Sequence, residues 1–550
     1  HLGHGYTNSC HLPLPHPIDL EEIKTNPSAL HNTKHKKEMR RMMLTGIKPA
    51  ECSYCWKVED IGRNNIADRI FKSQIYSEAD IAALKDIPWD QDVLLKTVEV
   101  SFDRTCNFAC SYCNAGYSTT WGKDIKTNGA YQNFKTSSAG AYQSDGSWSE
   151  IYGKNNEDNP YVKAFLEWWP ELSQTLQEVR VTGGEPSQSY NFWSFIETVK
   201  QYPSNNLRLA VNSNLGLSKK LLDKLITATH ELKIKEFDLY TSNESYGVHA
   251  EYIRDGLNYK TWRANLVTFL EKANFRALTI MMTINSLCLF SIVEFFEDMK
   301  KLKKKYGAHR PNMDLNILRW PSFMSPLMLP DEIKLMLRNK LENWYKDNKD
   351  SKLFSVNEKS QIERLIDYLE VVNRGHNTTE LEKGLQFHDF KSFYVQYDIR
   401  RNKNFSETFP ELKEWYESIE IDNNIPKREI FDGSITNYEA GEYISDINGM
   451  FIDGYVDISK GDWIIKLGAT TNVASTWLFL NNIGVPIKTV AYFMNQPIVK
   501  DYLRTLENNG YTWLFNDKII QPLEEQLRGI KDRLLKTEDS AGISRQPAQV

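Results

Sequence analysis

The sequence predicts an α/β fold whose core is a partial (β/α) barrel or an open, doubly wound parallel sheet. From about residue 95 onward, apolar, β-branched runs of five to eight residues alternate with amphipathic stretches of helical period. Six such runs occur. Continuous apolar strands that alternate with helices indicate a parallel sheet that is covered on its outside.

The elements follow in order along the chain. The predicted strands are Val98–Phe102, Glu178–Thr182, Leu207–Asn212, Glu236–Tyr240, Leu278–Ile284 and Asp314–Leu318. The predicted helices between them include Phe192–Gln201, Ser218–Ala228, Tyr259–Ala273 and Ser291–Tyr306. Active sites in such folds form at the carboxyl ends of the strands, so the residues that follow each strand are the candidates for chemistry.

The segments around this core differ from it in character. Residues 1–92 are strand-poor and charged, with helices predicted over Asn32–Leu44 and Ile66–Leu84 on either side of a turn at Cys52–Cys55. The core spans 93–330, and a helical C-terminal extension of it spans 331–420. Residues 421–550 are predicted to form a further, mostly helical interaction module that ends in a disordered tail from Thr537.

A long polar stretch, rich in Gly, Ser, Tyr and Trp, lies between Asn114 and Asn159. Loops of this length are usually functional or disordered. Two interpretations stay open here: a lid or substrate-contacting insertion, and plain disorder.

Composition limits the class of protein. The 550 residues are 41% hydrophobic and 25% charged, as in an ordinary soluble protein, and no apolar run approaches the roughly 20 residues of a membrane-spanning helix. There is no signal-peptide pattern, so we expect a cytoplasmic protein without a membrane partner. A net charge of −5 argues against a nucleic-acid partner, and the basic run at 34–41 is interpreted as a solvated helix face.

The seven cysteines favour metal ligation over disulfides, because their number is odd and six of them form two groups. Cys106, Cys110 and Cys113 have the spacing CxxxCxxC directly after the first strand. Three thiolates hold three irons of a cubane that normally has four cysteine ligands. The missing ligand leaves one iron open for another molecule, as catalytic metal sites do. A zinc site and a chance spacing are the alternatives.

A second motif, Gly183-Gly184-Glu185-Pro186, follows the second strand. Two glycines let the backbone approach a ligand closely, and the glutamate can accept hydrogen bonds from an ammonium group. Alone, this motif is compatible with a simple tight turn. Together with the cysteine motif one strand earlier, it favours a binding site.

This pair of motifs resembles the radical S-adenosylmethionine (SAM) superfamily over roughly residues 95–330. The resemblance implies a TIM-like partial (β/α)6 barrel and a [4Fe–4S] cluster, held by Cys106, Cys110 and Cys113, whose open iron chelates SAM. It implies an enzyme that reductively cleaves SAM to a 5′-deoxyadenosyl radical, which abstracts hydrogen from a substrate. An electron donor such as flavodoxin or ferredoxin is then expected as a partner.

The same resemblance assigns further contacts with SAM. Tyr112 is expected beside the adenine, and the 183–186 turn beside the methionine amino group. Weaker candidates are Asn212, Ser213 and Asn214 after the third strand, Ser242 and Glu244 after the fourth, and Arg319 after the sixth, the last for the carboxylate. The family's glycine-containing fifth-strand motif is not evident in LTIMMTINSL at 278–287, so no adenine contact is assigned there.

Cys10, together with Cys52 and Cys55 in CSYCW, resembles an N-terminal Twitch-type module, a small relative of the SPASM domain that holds one auxiliary Fe–S cluster. Similar proteins occur in bacteriophage genomes and usually end near a segment like 397–416. These cysteines supply three ligands, one fewer than the four that an Fe–S cluster normally has. The fourth ligand has two candidate sources. One is a cysteine upstream of His1, in a chain that lacks its natural N-terminus, and the other is a histidine, His4 or His11, in place of a cysteine. A structural zinc site and unconnected cysteines are the alternatives.

The preferred hypothesis is therefore a radical SAM enzyme with a second, auxiliary cluster, acting on a peptide, a protein or a small molecule. The rival is a non-catalytic, zinc-binding interaction protein. A SAM-binding protein that has lost turnover is the third interpretation.

Overall fold

The structure is a computed structural model that describes residues 1–61, 67–144, 146, 158–370, 380–421, 452–457 and 462–467. The chain divides into two compact units, His1–Phe431 and Asp432–Val550. In the second unit the described residues form an antiparallel pair of strands, Ile452–Asp457 and Asp462–Leu467. The helices predicted at Ala474–Asn482, Ile487–Asn495, Ile498–Glu507 and Glu524–Lys536, and the tail from Thr537, lie outside the described residues.

A six-stranded parallel sheet forms the core of the first unit. Its strands are β1 (Thr97–Ser101), β2 (Glu178–Thr182), β3 (Ser204–Ser213), β4 (Ile234–Ser242), β5 (Ala277–Ile284) and β6 (Asn312–Ile317). Strands adjacent in the chain are adjacent in the sheet throughout, with β1 and β6 at its two ends. A doubly wound sheet reverses its strand order partway. Of the two predicted architectures, the partial (β/α)6 barrel is therefore confirmed.

The described helices surround this sheet or precede it. They are α1 (Leu20–Thr25), α2 (Lys34–Leu44), α3 (Ser53–Asp60), α4 (Asp68–Ser73), α5 (Glu78–Asp86), α6 (Thr119–Asn128), α7 (Pro160–Leu172), α8 (Tyr190–Gln201), α9 (Lys219–Glu231), α10 (Gly247–Ile253), α11 (Tyr259–Lys272), α12 (Ile292–Tyr306), α13 (Asp331–Asn348), α14 (Val356–Glu370), α15 (Glu380–Arg401), α16 (Phe405–Thr408) and α17 (Lys413–Ser418). Among them, no helix has the length and apolar character needed to span a bilayer.

The N-terminal module corrects three predictions. The helix predicted over Ile66–Leu84 is two helices, because Ser77 caps α5 in a reciprocal capping box. The predicted turn at Cys52–Cys55 is the first turn of α3. The basic run is not wholly a solvated face, since Lys36 is 7% exposed and its Nζ donates to Thr7 Oγ1 at 2.7 Å.

The two faces of the sheet have different characters. On β5, Leu278, Ile280, Met282 and Ile284 are completely buried under the helices, whereas the alternate positions are half-buried. The inner face carries polar and charged side chains on the neighbouring strands, among them Asp238, Tyr240 and Ser242 of β4. The inner face of the sheet is thus polar.

The edge strand β6 is covered by side chains of α14. Glu358 Oε1 accepts from Met313 N at 2.9 Å, and Gln361 Oε1 accepts from Leu315 N at 2.8 Å. Glu358 also pairs with Lys303 of α12 at 2.8 Å, and both side chains are almost completely buried. Unpaired strand edges invite association with other chains. Here the helix satisfies the edge with side-chain acceptors.

Candidate cofactor site

The cysteine loop follows β1 and is fixed by its backbone. Cys106 N donates to Thr119 Oγ1 at 3.1 Å, and Cys113 N donates to the Cys110 carbonyl at 2.9 Å. The dipeptide Ala109–Cys110 pairs in antiparallel fashion with Arg254–Asp255, which follows α10. The loop therefore has a defined conformation at the carboxyl end of the first strand, where the sequence predicts it.

Three aromatic side chains support this loop by donating to three consecutive carbonyl oxygens. Tyr397 OH donates to the Ala109 carbonyl at 3.3 Å, Trp121 Nε1 to that of Cys110 at 2.9 Å, and Tyr142 OH to that of Ser111 at 2.8 Å. Two of these donors come from the stretch predicted as a lid or as disorder. Both are buried, so the parts of this stretch that bear them belong to the core and brace the cysteines, whereas residues 145 and 147–157 of the stretch lie outside the described residues.

The three thiols lie near one another. Burial, together with the neighbouring Cys110 sulfur, raises the pKa of Cys106 to about 12. Burial, with the sulfurs of Cys110 and Cys106, likewise raises the pKa of Cys113. These thiols are protonated at neutral pH when free and release their protons when they bind metal.

Within the described ranges, no three His, Cys, Asp or Glu side chains gather tightly enough to ligate a single metal ion. The thiolates of a cubane bind different irons and therefore lie further apart than ligands that share one ion. The donor set of the 106–113 loop, three thiols close together on one braced loop, fits such a cluster.

The glycines of the GGEP turn allow the chain to approach itself. Gly183 has a φ of +122°, and a Cβ placed on Gly184 would lie 2.3 Å from the Thr105 carbonyl oxygen and 2.6 Å from that of Arg104. Glu185 N donates to the same Thr105 oxygen at 2.6 Å. The close approach predicted for a ligand is, in the structure, an approach to the start of the cysteine loop.

The Glu185 carboxylate is completely buried and joins the ends of two strands. It accepts from Ser187 Oγ at 2.5 Å, from Ser213 Oγ at 2.9 Å and from Asn214 N at 2.5 Å. Burial raises its pKa, and these donors oppose that shift. Pro186 begins the short helical turn that follows. Contact of the turn with a SAM amino group stays a prediction.

A buried ion pair lies beside the loop, at the end of β4. Arg254 donates to both oxygens of Glu244, with Nη2 2.5 Å from Oε2, and the two residues are 5% and 0% exposed. Tyr112 OH donates to Glu244 Oε1 at 3.1 Å, and the Arg254 guanidinium lies 5.4 Å from the centre of the Tyr112 ring. Arg254 Nη1 is 3.8 Å from Cys110 Sγ. Sequence reasoning missed Arg254, whose IRDG context carries no recognisable signal.

Four buried polar atoms at the carboxyl ends of β3, β4 and β5 have no hydrogen-bond partner among the residues that the structure describes. They are Asn212 Oδ1, Asn243 Nδ2, Ser245 Oγ and Ser286 Oγ. A buried polar group without a partner costs about 1–3 kcal/mol, so such groups call for a ligand or a water. The sequence predicted only Asn212 as a site residue. The signal for the others is their position within three residues of the end of a strand.

Two predicted residues at the strand ends have other surroundings. Ser242 is half-buried on the inner face of β4. Arg319 follows β6 and is exposed, and its contact with a carboxylate stays a prediction.

The segments that bear the second cysteine group lie next to each other. Burial, together with the nearby Glu51, Cys10 and Cys55, raises the pKa of Cys52 to about 12. Ser9 Oγ donates to Glu51 Oε1 at 3.1 Å, and His35 Nε2 lies 2.7 Å from Glu51 Oε2. The Glu51 carboxylate thus ties the Cys10 segment to the turn that bears Cys52.

The two histidines considered as a fourth ligand have other partners. His11 Nε2 is 3.0 Å from Asp68 Oδ2, and its Nδ1 is 2.7 Å from Lys72 Nζ. His4 stacks on His1, and burial lowers its pKa to about 4, with help from His1 and Arg104. A role for either as a metal ligand stays a prediction.

A cavity of about 580 Å³ lies at the opposite, amino-terminal end of the sheet. Its lining includes Arg208, Glu236 and Arg276, and both arginines pair with the buried Asp238. Active sites of (β/α) barrels lie at the carboxyl-terminal face, and residues at the opposite face generally serve stability. This cavity is therefore the floor of the barrel, away from the cysteine loop.

Comparison with known proteins gives only distant likenesses. No protein-family model matches the chain, and no curated protein matches it. Three solved structures are similar at a TM-score of 0.29: SuiB of Streptococcus suis bound to S-adenosylmethionine (9% identity, 54% of this chain and 60% of that one), native anSMEcpe with AdoMet and the Cp18Cys peptide (11%, 59% and 99%), and a histidine-tagged anSMEcpe with AdoMet (12%, 60% and 96%). The likeness thus spans about 60% of the SuiB chain. At these scores the likenesses carry no weight for function.

Proposed function

We propose that the chain is a radical SAM enzyme. The observation that carries this proposal is the braced loop of Cys106, Cys110 and Cys113 at the carboxyl end of the first strand of a (β/α)6 barrel. A [4Fe–4S] cluster on this loop, with SAM at its open iron, would supply a 5′-deoxyadenosyl radical that removes hydrogen from a substrate. The protein supplies binding, orientation and electrostatics around such a cofactor.

The chain's own residues have separable tasks in this proposal. The GGEP turn contacts the Thr105 carbonyl and fixes the position of the cysteine loop above the barrel. Four polar atoms without a partner in the described part of the chain can bind the ribose, the adenine or a substrate; they belong to Asn212, Asn243, Ser245 and Ser286. Tyr112, held by its hydroxyl on Glu244, presents its ring beside the loop.

We further propose a second, auxiliary Fe–S centre at Cys10, Cys52 and Cys55, and a peptide or protein as the substrate. Glu51, with its partners Ser9 and His35, supports the first part because it links the two segments that bear these cysteines. The second part rests on the resemblance of this segment to Twitch-type modules. An external one-electron donor of the ferredoxin or flavodoxin class completes the proposal.

The test is anaerobic reconstitution with iron and sulfide, followed by reduction in the presence of SAM. We expect 5′-deoxyadenosine from the wild-type protein and none from Cys110→Ala. Cys288→Ala is the matched control, because Cys288 is buried at the end of β5 and lies outside both cysteine groups. A cluster-loaded wild-type protein that forms no 5′-deoxyadenosine contradicts the proposal.

Metal analysis separates this function from the zinc-binding interaction protein. Brown protein with iron and sulfide near cluster stoichiometry supports the enzyme. Colourless protein that retains only zinc after anaerobic preparation supports the rival. SAM binding without cleavage indicates a protein that has lost turnover.

A further inference from the structure

We infer that Arg254 is a positioning residue that holds the Cys110 sulfur and raises the reduction potential of the cluster bound there. This inference rests on the proposed function, because it concerns the cluster of the 106–113 loop. It adds a role for a residue that no motif of the sequence marks.

The first step of the argument is the geometry of the contact. Arg254 Nη1 lies 3.8 Å from Cys110 Sγ, and the backbones of the two residues are paired in the short antiparallel ladder. Ile253 adds a further tie, since its carbonyl accepts from Ser111 N at 2.7 Å. The guanidinium is thus tied to the loop by main chain and side chain together.

The second step is the orientation of the guanidinium. Its Nε and Nη2 atoms donate to Glu244, whose carboxylate is completely buried. A guanidinium is planar and presents its donors in a fixed fork. With two donors held by the carboxylate, Nη1 is the one that faces the sulfur.

The third step is the difference among the three sulfurs. Cys106 Sγ accepts from Phe108 N at 3.5 Å and from Asn214 Nδ2 at 4.0 Å, which are neutral donors. Cys110 Sγ alone among the three has a charged donor in the described part of the chain. Hydrogen bonds to cluster sulfurs are among the features that set the potential of Fe–S centres. A buried cation stabilises the state with one more electron.

The reaction concerned is the gain of one electron by the cluster from the external donor, and no bond of the protein forms or breaks. Two substitutions should move its potential in opposite directions. Arg254→Gln removes the cation and leaves the Glu244 carboxylate beside the loop, so reduction becomes harder. Glu244→Gln removes the anion and leaves the cation, so reduction becomes easier.

The experiment is a redox titration of the reconstituted protein without SAM, followed by electron paramagnetic resonance. The relevant signal is the one that Cys110→Ala removes, which separates it from an auxiliary centre. We expect the equilibrium constant for reduction to fall at least tenfold in Arg254→Gln, equal to about 59 mV for one electron, and to rise in Glu244→Gln. Arg263→Gln is the matched control, since Arg263 Nε donates to both carboxylate oxygens of Asp298 on the outside of the barrel.

Each outcome of the redox titration either supports or overturns the inference. A wild-type potential in Arg254→Gln, or equal shifts in Arg254→Gln and Arg263→Gln, overturns the inference. If Arg254→Gln does not fold, Glu244→Gln decides alone, and an unchanged potential in that variant overturns it. Wild-type protein that takes up no cluster overturns the proposed function and this inference with it, whereas a loaded wild type with unmoved variants overturns only the inference.

Discussion

The contact between the GGEP turn and the cysteine loop makes a sharp prediction for Gly184→Ala. The added Cβ would lie 2.3 Å from the Thr105 carbonyl oxygen, whereas real Cβ contacts below 3.0 Å are essentially never observed. The opposing atom is backbone, so no flexible side chain can move away. Overpacking of this kind costs about 1–3 kcal/mol, and we expect the upper end of that range.

The effect of Gly184→Ala on activity depends on which backbone segment moves to relieve the clash. Either the turn or residues 104–105 must shift, and the latter lead directly into Cys106. We therefore expect at least a tenfold loss of 5′-deoxyadenosine in the SAM cleavage assay. The free energy of unfolding, from urea denaturation, should fall by about 3 kcal/mol.

Gly384→Ala is the matched control, because Gly384 lies in α15 and a Cβ there meets no atom of the described residues within 4 Å. Alanine in a helix interior is favoured over glycine by about 1 kcal/mol, so this variant should be at least as stable as wild type. Wild-type stability and yield in Gly184→Ala would refute the proposed role of the turn.

Three further substitutions test buried polar groups. Glu358→Gln should lower the free energy of unfolding by about 3–5 kcal/mol, because it leaves the buried Lys303 without its counter-charge. The control is Glu271→Gln, which breaks an exposed ion pair with the same helix α12 and should barely move the urea midpoint. Equal effects of the two substitutions would contradict this reasoning. Glu185→Gln should cost about 1–3 kcal/mol in the same assay, since an amide nitrogen then faces hydrogen-bond donors. Burial lowers the pKa of Lys36 from 10.5 to about 7. The buried ammonium group therefore destabilises the folded state more as the pH falls between these values. Lys36→Met should raise the free energy of unfolding more at pH 7 than at pH 10, by on the order of 3 kcal/mol, and a pH-independent effect would speak against this reasoning.

The sheet was predictable because its signals are local. Each strand is a short apolar run bounded by polar residues, and β2 matches its predicted bounds, Glu178–Thr182, at both ends. The position of the cysteines after β1 follows from the same local pattern. The sequence left the barrel and the doubly wound sheet open, because strand order depends on contacts between residues far apart in the chain.

The parts that sequence reasoning missed depend on such distant contacts. Arg254 lies 144 residues from Cys110, and no local pattern relates the two. The reason for Gly184 was predicted as closeness to a ligand, but the neighbour is Thr105, which only the folded chain brings there. Trp121 lies in a polar stretch whose composition hides its buried position.

The bracing of the cysteine loop by α15 has a consequence for how the protein is made. Tyr397, which donates to the Ala109 carbonyl, is 288 residues downstream of it. At synthesis rates of about 5–20 residues per second, the ribosome needs roughly 15–60 s to reach that tyrosine after it has made the loop. During this interval the nascent chain carries its three thiols without their final support. In the proposed function, a cluster would therefore enter the finished site only after α15 has been translated, and a chain that stops before α15 would hold all three cysteines without the support of Tyr397.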